Sequence, residues 1–239
     1  MARICADCSI LRRVSTGWSA ALGGATGLIS GRGSNLAALV AAAQQPDYSA
    51  DIVLVASNRP EAAGLARARE AGITTAVVDH KAFADRRAFE EELDRTFAAA
   101  GVELLCLAGF MRVFTDWFVA RWAGRMLNIH PSLLPAFRGT DTHRQALAAG
   151  VLIHGCTVHH VTLDLDAGPI VAQAAVRILP GDTEETLADR ILAEEHRLYP
   201  LALRLVCEGK ARLDGDRVRH ELPWKQGAAL LAPPLESQP

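Results

Sequence analysis

The chain has 239 residues, of which 50% are hydrophobic and 22% are charged. This composition excludes a disordered chain and leaves enough apolar material for a core. The 25 basic and 27 acidic side chains give a net charge of −2, so there is no overall electrostatic basis for binding nucleic acid or an anionic membrane. No stretch reaches the ~18 consecutive apolar residues of a membrane span, and five scattered cysteines favour a reducing cytoplasm over a disulfide framework. We therefore expect a cytoplasmic domain of enzymatic size.

The first 26 residues differ from the rest of the chain. Their mixture of Arg, Ser, Thr, Gly and Ala is similar to a targeting segment, but an apolar central region and a cleavage site are missing. We interpret residues 1–26 as an atypical segment that is disordered or not native, 27–226 as a single domain, and 227–239 as a loose tail. Cys5 and Cys8 form a C-x-x-C pair without a second pair, which is a weak indication of metal binding.

From Leu28 onward, predicted strands and helices alternate along the chain. Short apolar runs predict buried strands, and apolar residues at helical spacing predict helices. The predicted strands are 52–56, 74–78, 104–107 and 126–130. Four helices are predicted: one from about residue 34, one opened by Arg59-Pro60 with Asn58 as its N-cap, one that includes 89–97, and one over 116–121. Such alternation is typical of a parallel sheet with helices on both faces.

The second half of the chain has a different pattern. After a predicted helix at 142–149, two long predicted strands, 153–162 and 170–178, are joined by a turn and form an antiparallel pair. Asp182, with Glu185 three residues later, predicts a capping box that opens the longest helix. Asp214-Gly215 predicts a hairpin. The predicted fold class is therefore α/β: a Rossmann-like, doubly wound, mostly parallel sheet with an antiparallel strand pair in the C-terminal half.

The segment Gly31-Arg32-Gly33-Ser34-Asn35 lies between a predicted strand and a predicted helix. Free backbone N–H groups and the helix dipole suit a phosphate at such a position, although a tight turn that needs small residues is the alternative. The segment is not a P-loop, and it lacks the third glycine of a dinucleotide-binding fingerprint. Arg59 after the next strand leaves binding of NADP open, because its guanidinium could accept a 2′-phosphate.

Asn128 and His130 end a predicted central strand and point to the same side of it. An amide donor and an imidazole directed at one point can polarise a carbonyl group and stabilise its developing oxyanion. A hydrogen-bonded pair inside the core is the alternative. Pro131 and Pro135 favour function, because they fix an irregular loop directly after the pair.

Asp166 lies in the turn between the two long predicted strands. A carboxylate that reaches His130 would hold the imidazole in its charged form and assist proton transfer. Asp164 is the rival, and sequence spacing does not choose between the two. An acid on a surface turn without function remains the alternative.

Three histidines, His154, His159 and His160, invite the hypothesis of a metal site. In a strand, His154 and His159 face opposite sides, and His154 and His160 lie about 20 Å apart at ~3.3 Å per residue. Because zinc ligands lie ~2 Å from one point, we predict no metal here. Cys106 and Cys156 lie within apolar strands and are interpreted as core residues.

Several motifs together resemble the phosphoribosylglycinamide formyltransferase family, folate-dependent enzymes of purine biosynthesis. The resemblance extends from about Leu28 to Trp224, and its motifs are Gly33-Ser34-Asn35, Leu107–Arg112, Asn128–Pro135 and Leu165–Pro169. The segment Thr142–Leu147 is similar to the glycinamide branch of the wider formyltransferase superfamily.

The resemblance implies the site residues. Asn128, His130 and Asp166 would be catalytic, with 10-formyltetrahydrofolate as co-substrate and no metal. The residues that would bind glycinamide ribonucleotide are Gly33, Ser34, Asn35 and Glu195. The residues that would bind the folate are Arg86, Met111, Arg112, Val113, Phe114, Asn128, Thr162, Leu163, Asp164, Leu165 and Asp166. No nucleic-acid or membrane partner is expected, and the protein would be a monomer or a homodimer.

Two features depart from the family pattern. Residues 22–27 form a poor first strand, which predicts an under-filled sheet centre unless residues 3–11 supply that strand or the amino terminus is not native. Asp141 stands where some relatives have histidine. Three alternatives stay open: a formyltetrahydrofolate deformylase, an NADP-dependent reductase, and a folate- or nucleotide-binding protein without catalysis.

Overall fold

The computed structural model describes residues 24–223 together with residues 227, 230, 232 and 233. The strands are β1 Gly24–Ile29, β2 Asp51–Ser57, β3 Thr75–Val77, β4 Leu104–Leu107, β5 Met126–His130, β6 Ile153–His160, β7 Ile170–Arg177, β8 Ala211–Asp214 and β9 Arg217–His220. The helices are α1 Ser34–Ala43, α2 Ala63–Glu70, α3 Arg86–Ala99, α4 Asp116–Arg121, α5 Thr142–Ala148 and α6 Glu184–Cys207. Cys5, Cys8 and the alternative first strand at 3–11 lie outside the described residues, as does most of the expected tail at 227–239.

Seven strands form one sheet in the order β3-β2-β1-β4-β5-β6-β7. The first five strands pair in parallel, whereas β6 pairs antiparallel to β5 and β7 pairs antiparallel to β6. β8 and β9 form a separate antiparallel hairpin. The predicted Rossmann-like sheet with an antiparallel pair in the C-terminal half is therefore confirmed.

Apolar side chains pack on both faces of this sheet. On one face, α1, α2 and α6 cover a core that includes Leu39, Leu65 and Leu203. On the other face, α3 and α4 contribute the aromatic side chains Phe97 and Phe118 to a second core. Two covered faces explain why the central strands read as continuous apolar runs instead of alternating patterns.

The expectation of a poor first strand is wrong. Residues 24–29 form β1, which pairs with both β2 and β4 at the centre of the sheet, so the strand begins before the domain start expected at residue 27. A Cβ atom on Gly27 would lie 2.4 Å from Leu36 Cδ1 of α1, and Leu36 is buried. The glycine therefore leaves room for the helix side chain that packs against the centre of the sheet.

Two predicted helix starts are wrong. The N-cap of α6 is Thr183, which exchanges hydrogen bonds with Thr186, whereas Asp182 accepts a hydrogen bond from the Leu179 N–H and contacts Arg190. Asn58 does not cap α2, which begins at Ala63. The Asn58 side chain is instead committed to long-range hydrogen bonds inside the protein, which are described below.

We expect Gly27→Ala to lower the free energy of unfolding by about 1–3 kcal/mol, because the added methyl group overpacks the contact with Leu36. Denaturant unfolding measures the change. Gly31→Ala is the matched control, since nothing lies within 4 Å of a Cβ at that position, and it should change stability by less than about 0.5 kcal/mol. Equal effects of the two substitutions would contradict this account of β1.

Candidate active site

The candidate site lies where the strand order reverses, between β1 and β4. In a doubly wound sheet, the loops at the carboxyl ends of these strands leave the sheet in opposite directions and open a crevice for ligands. Two backbone hydrogen bonds join the loops: Ala108 N–H donates to Leu28 O at 2.9 Å, and Ser30 N–H donates to Gly109 O at 3.2 Å. β5, which carries Asn128 and His130, is the next strand beyond β4.

His130, the last residue of β5, is in contact with Asp166 of the turn between β6 and β7. His130 Nδ1 lies 3.4 Å from Asp166 Oδ2, and the side chains are only 6% and 8% exposed. The other ring nitrogen, Nε2, lies 2.9 Å from the Phe137 carbonyl oxygen. Because both nitrogens face oxygen acceptors, the surroundings accommodate an imidazole ring that donates from both sides.

The structure places Asp166, not Asp164, against His130. Asp164 is exposed, whereas the Asp166 carboxylate turns inward and accepts a hydrogen bond from the Gly139 N–H at 2.9 Å. Asp166 has a φ of 49°, in the left-handed region that non-glycine residues adopt at a cost in free energy. The backbone of the β6–β7 turn is thus fixed in an unfavourable conformation that directs this carboxylate to the histidine.

His159 is a site residue that the sequence did not reveal. Its Nε2 lies 3.3 Å from Asn128 Nδ2 and its Nδ1 donates to the His160 carbonyl oxygen at 2.9 Å. Burial lowers the pKa of His159, so the ring is neutral and its Nε2 lone pair can accept from the Asn128 amide. This contact fixes which end of the amide points into the site.

The register between β5 and β6 is the information that would have placed His159 in the site. Asn128 and His159 are direct partners in the antiparallel register. Facing residues of such a pair lie close enough for their side chains to interact. The register could not be read from the sequence, so the position of His159 opposite Asn128 was missed.

A cavity of about 280 Å³ lies beside Asn128 and Asp166. Several of its side chains are apolar yet strongly exposed, among them Met111, Val113 and Leu163. The lining includes these predicted folate-binding residues: Met111, Arg112, Val113, Phe114, Asn128, Thr162, Leu163, Asp164, Leu165 and Asp166. The lining residues that were not predicted are Leu107, Phe110, Val119, Gly139, Thr140, His159 and Val161. Such a surface suits a flat, largely apolar ligand.

Arg86 is placed differently from the other predicted folate-binding residues. It is the first residue of α3 and does not line the cavity. Its contact with a folate therefore stays a prediction.

The predicted ribonucleotide-binding residues meet at the start of α1. Gly33 is the N-cap residue, with a φ of 68°, and no side chain caps the helix, so the first N–H groups are open to a ligand. Asn35 Nδ2 donates to Glu195 Oε2 of α6 at 2.7 Å. Burial raises the pKa of the Glu195 carboxyl group, and the hydrogen bond from Asn35 opposes this shift. Residues 160 positions apart thus form one polar contact beside the helix start.

A second cavity in the described part of the chain is a weaker candidate site. A cavity of about 250 Å³ is lined by Arg59, Lys81, Glu61 and Asp79 with His80, so its two cations are balanced by two carboxylates. Within the described part of the chain, no group of three or more His, Cys, Asp or Glu side chains could hold a metal ion. No helix in that part is long and apolar enough to cross a membrane.

The comparisons with known proteins identify the class. The model of the formyl transferase family matches residues 26–203, so the chain belongs to that family of group-transfer proteins. The resemblance to the phosphoribosylglycinamide formyltransferases is confirmed: the Escherichia coli protein of that name is 42% identical over 198 residues, which cover 80% of this chain and 93% of the relative.

Further relatives and solved structures agree with this assignment. The trifunctional purine biosynthetic protein adenosine-3 of Bos taurus is 50% identical over 186 residues, although the chain spans only 18% of that relative's length. A glycinamide ribonucleotide transformylase from Symbiobacterium toebii has a TM-score of 0.81 and 45% identity, covering 87% of this chain and 98% of the other. A phosphoribosylglycinamide formyltransferase from Brucella melitensis has a TM-score of 0.75 and 51% identity, covering 77% and 95%.

We expect Glu195→Gln to stabilise the protein near pH 7. Because the pKa of Glu195 is raised in the folded state, its contribution to stability is greatest below the ordinary glutamate pKa and is lost as the pH rises through the folded pKa. Glutamine keeps an acceptor for Asn35 and removes this penalty. Thermal unfolding of both proteins should therefore differ at pH 7 and converge near pH 4. A pH-independent difference would contradict the raised pKa.

Proposed function

We propose that this protein transfers the formyl group of 10-formyltetrahydrofolate to the amine of glycinamide ribonucleotide. The observation that carries the proposal is that Asn128 and Asp166 line one largely apolar cavity and that Asp166 contacts His130, which lies behind the lining at the carboxyl end of β5. The names of the relatives support the same reaction and the same ribonucleotide substrate. The folate would supply the formyl group, and residues of this chain would bind both substrates, stabilise the oxyanion and transfer the protons.

Asn128 and His130 are the proposed stabilisers of the developing oxyanion. When the amine attacks the formyl carbon, negative charge accumulates on the formyl oxygen. The Asn128 amide, held by His159, would bind that oxygen. His130 would bind it when one ring N–H exchanges its present acceptor, Asp166 or the Phe137 carbonyl oxygen, for the formyl oxygen. Preformed donors of this kind act most strongly in a site that excludes water, and both β5 residues lie at the end of a strand packed on its two faces.

Asp166 is the proposed partner in proton transfer. Its carboxylate lies 3.4 Å from His130 Nδ1, where it can orient the ring and exchange a proton with it. The attacking amine must also lose a proton, and the leaving folate nitrogen must gain one. Asp166 is the carboxylate closest to His130 for this exchange, directly or through a water molecule.

The two substrates would bind on opposite sides of the catalytic residues. The open N–H groups at the start of α1 suit the phosphate of the ribonucleotide, and the Asn35–Glu195 pair offers polar groups to its sugar. The exposed apolar side chains of Met111 and Val113 suit the flat ring system of the folate. Holding the amine beside the formyl carbon supplies a large part of the expected rate enhancement.

An assay of formyl transfer tests the proposal. Purified protein is mixed with glycinamide ribonucleotide and 10-formyltetrahydrofolate, without metal or ATP, and the release of tetrahydrofolate is followed. Release that requires the ribonucleotide supports the transferase. Release without the ribonucleotide would indicate a deformylase, and binding of either ligand without release would indicate a non-catalytic protein. Binding of a nicotinamide cofactor with no need for folate would instead support the reductase.

We expect Asp166→Asn to reduce kcat by ~10² or more, because an amide cannot accept and pass on a proton as a carboxylate does. His130→Ala should have an effect of similar size. Asp214→Asn is the matched control, and its kcat should remain within about twofold of wild type, since Asp214 is an exposed acid of the β8–β9 hairpin and is not among the predicted site residues. Near-wild-type turnover of Asp166→Asn would refute the assignment.

A further inference from the structure

The segment 110–115, which we call the cavity segment, is held at both ends by buried polar groups. Its side chains Met111 and Val113 are 79% and 61% exposed, so their own packing cannot fix them in place. The segment nevertheless forms one wall of the cavity. Hydrogen bonds at both ends of the segment hold it in place.

At its start, the cavity segment is tied to the loop after β1. Met111 N–H donates to Ser30 Oγ at 3.0 Å, and Ser30 Oγ donates to Asn58 Oδ1 at 2.7 Å. Asn58 is buried, and its amide nitrogen lies 3.2 Å from His80 Nδ1. This chain of hydrogen bonds connects the carboxyl ends of three adjacent strands, β4, β1 and β2, and explains why Asn58 does not cap α2.

At its end, the cavity segment is tied to α3 by Glu90. This residue is completely buried, and its carboxyl group accepts hydrogen bonds from both donors of Thr115: the backbone N–H at 2.8 Å and the side-chain hydroxyl. Thr115 is also the N-cap residue of α4. One carboxyl group therefore fixes the last residue of the segment and the first turn of the helix that follows it.

Stacked aromatic rings connect the start of α4 to the cavity segment. Phe110, Phe114 and Phe118 stack in sequence, with ring centroids 5.2 Å and 4.4 Å apart. Phe118 belongs to α4, whose start is the residue that Glu90 holds. A displacement of Thr115 would shift the stack and, with it, the exposed residues Met111 to Val113.

A buried carboxyl group contributes little net free energy to folding, because its desolvation opposes the hydrogen bonds that it makes. Burial of such a group is unfavourable unless it is fully hydrogen-bonded, and apolar groups of similar shape often serve the fold equally well. The position of Glu90 at the end of a weakly packed wall gives it a second role. We propose that Glu90, through Thr115, is a positioning residue that holds the cavity segment in the conformation that binds the folate co-substrate; this rests on the proposed function.

Thr115→Val tests the inference, because valine keeps the shape and the backbone N–H bond but removes the hydroxyl. We expect the KM for 10-formyltetrahydrofolate to rise about fivefold to tenfold, the size of one lost hydrogen bond to a carboxyl group. The kcat value and the KM for glycinamide ribonucleotide should stay within about twofold of wild type. Thr115→Ser restores the hydroxyl and should restore the folate KM.

Glu92→Gln is the matched control on the same helix, because Glu92 is paired with Arg95 on the surface. This substitution should leave kcat and the KM values for both substrates unchanged. The thermal unfolding midpoint of each variant is measured in parallel. The positioning role is overturned if the KM for 10-formyltetrahydrofolate is unchanged in Thr115→Val. It is also overturned if the KM values for both substrates rise together and the thermal unfolding midpoint falls. A wild-type protein without folate-dependent transfer would overturn the proposed function itself, so the two failures are distinguishable.

Discussion

The antiparallel pairing of β6 with β5 is the constraint on which the candidate active site depends. It sets His159 opposite Asn128 and Thr157 opposite His130. Thr157 then fixes the loop after His130, since its hydroxyl donates to Ser132 O and accepts from Leu134 N–H. Because β6 runs antiparallel to β5, it ends beside the start of β5, with His160 opposite Leu127. The turn that follows must therefore fold back along β5 to bring Asp166 to His130.

Much of the fold could be predicted from local patterns. Apolar runs located β2, β4 and β5 to within a residue or two, and their alternation with helices was enough to infer a parallel sheet. β1 was misjudged because glycine has a low strand propensity, whereas Gly27 is determined by a contact with Leu36 of the following helix. The N-cap of α6 was misplaced by one residue because Asp182 and Thr183 are both good capping residues.

The residues of the candidate site also fall into two groups: those that local patterns predict and those that depend on contacts between distant segments. Asn128 and His130 could be found because the two-residue period of one strand is a local property. The choice between Asp164 and Asp166 needed the backbone of the turn, where only Asp166 has the left-handed conformation that turns its side chain inward. His159, Glu90 and the Ser30–Asn58 contact depend on pairing between distant segments, and no local pattern encodes such pairing.

The places where the chain departs from the rules for a stable fold surround the crevice. Glu195 is a buried carboxyl group with a raised pKa, Glu90 is a completely buried carboxyl group, and Asp166 is a non-glycine residue at positive φ. Each of these is unfavourable alone and is compensated by a hydrogen bond to another segment. A sequence selected for stability alone would lose such features, because most replacements would relieve the strain or the desolvation. Their positions beside the two predicted substrate sites and the catalytic turn therefore indicate that ligand binding, and not folding, retains them.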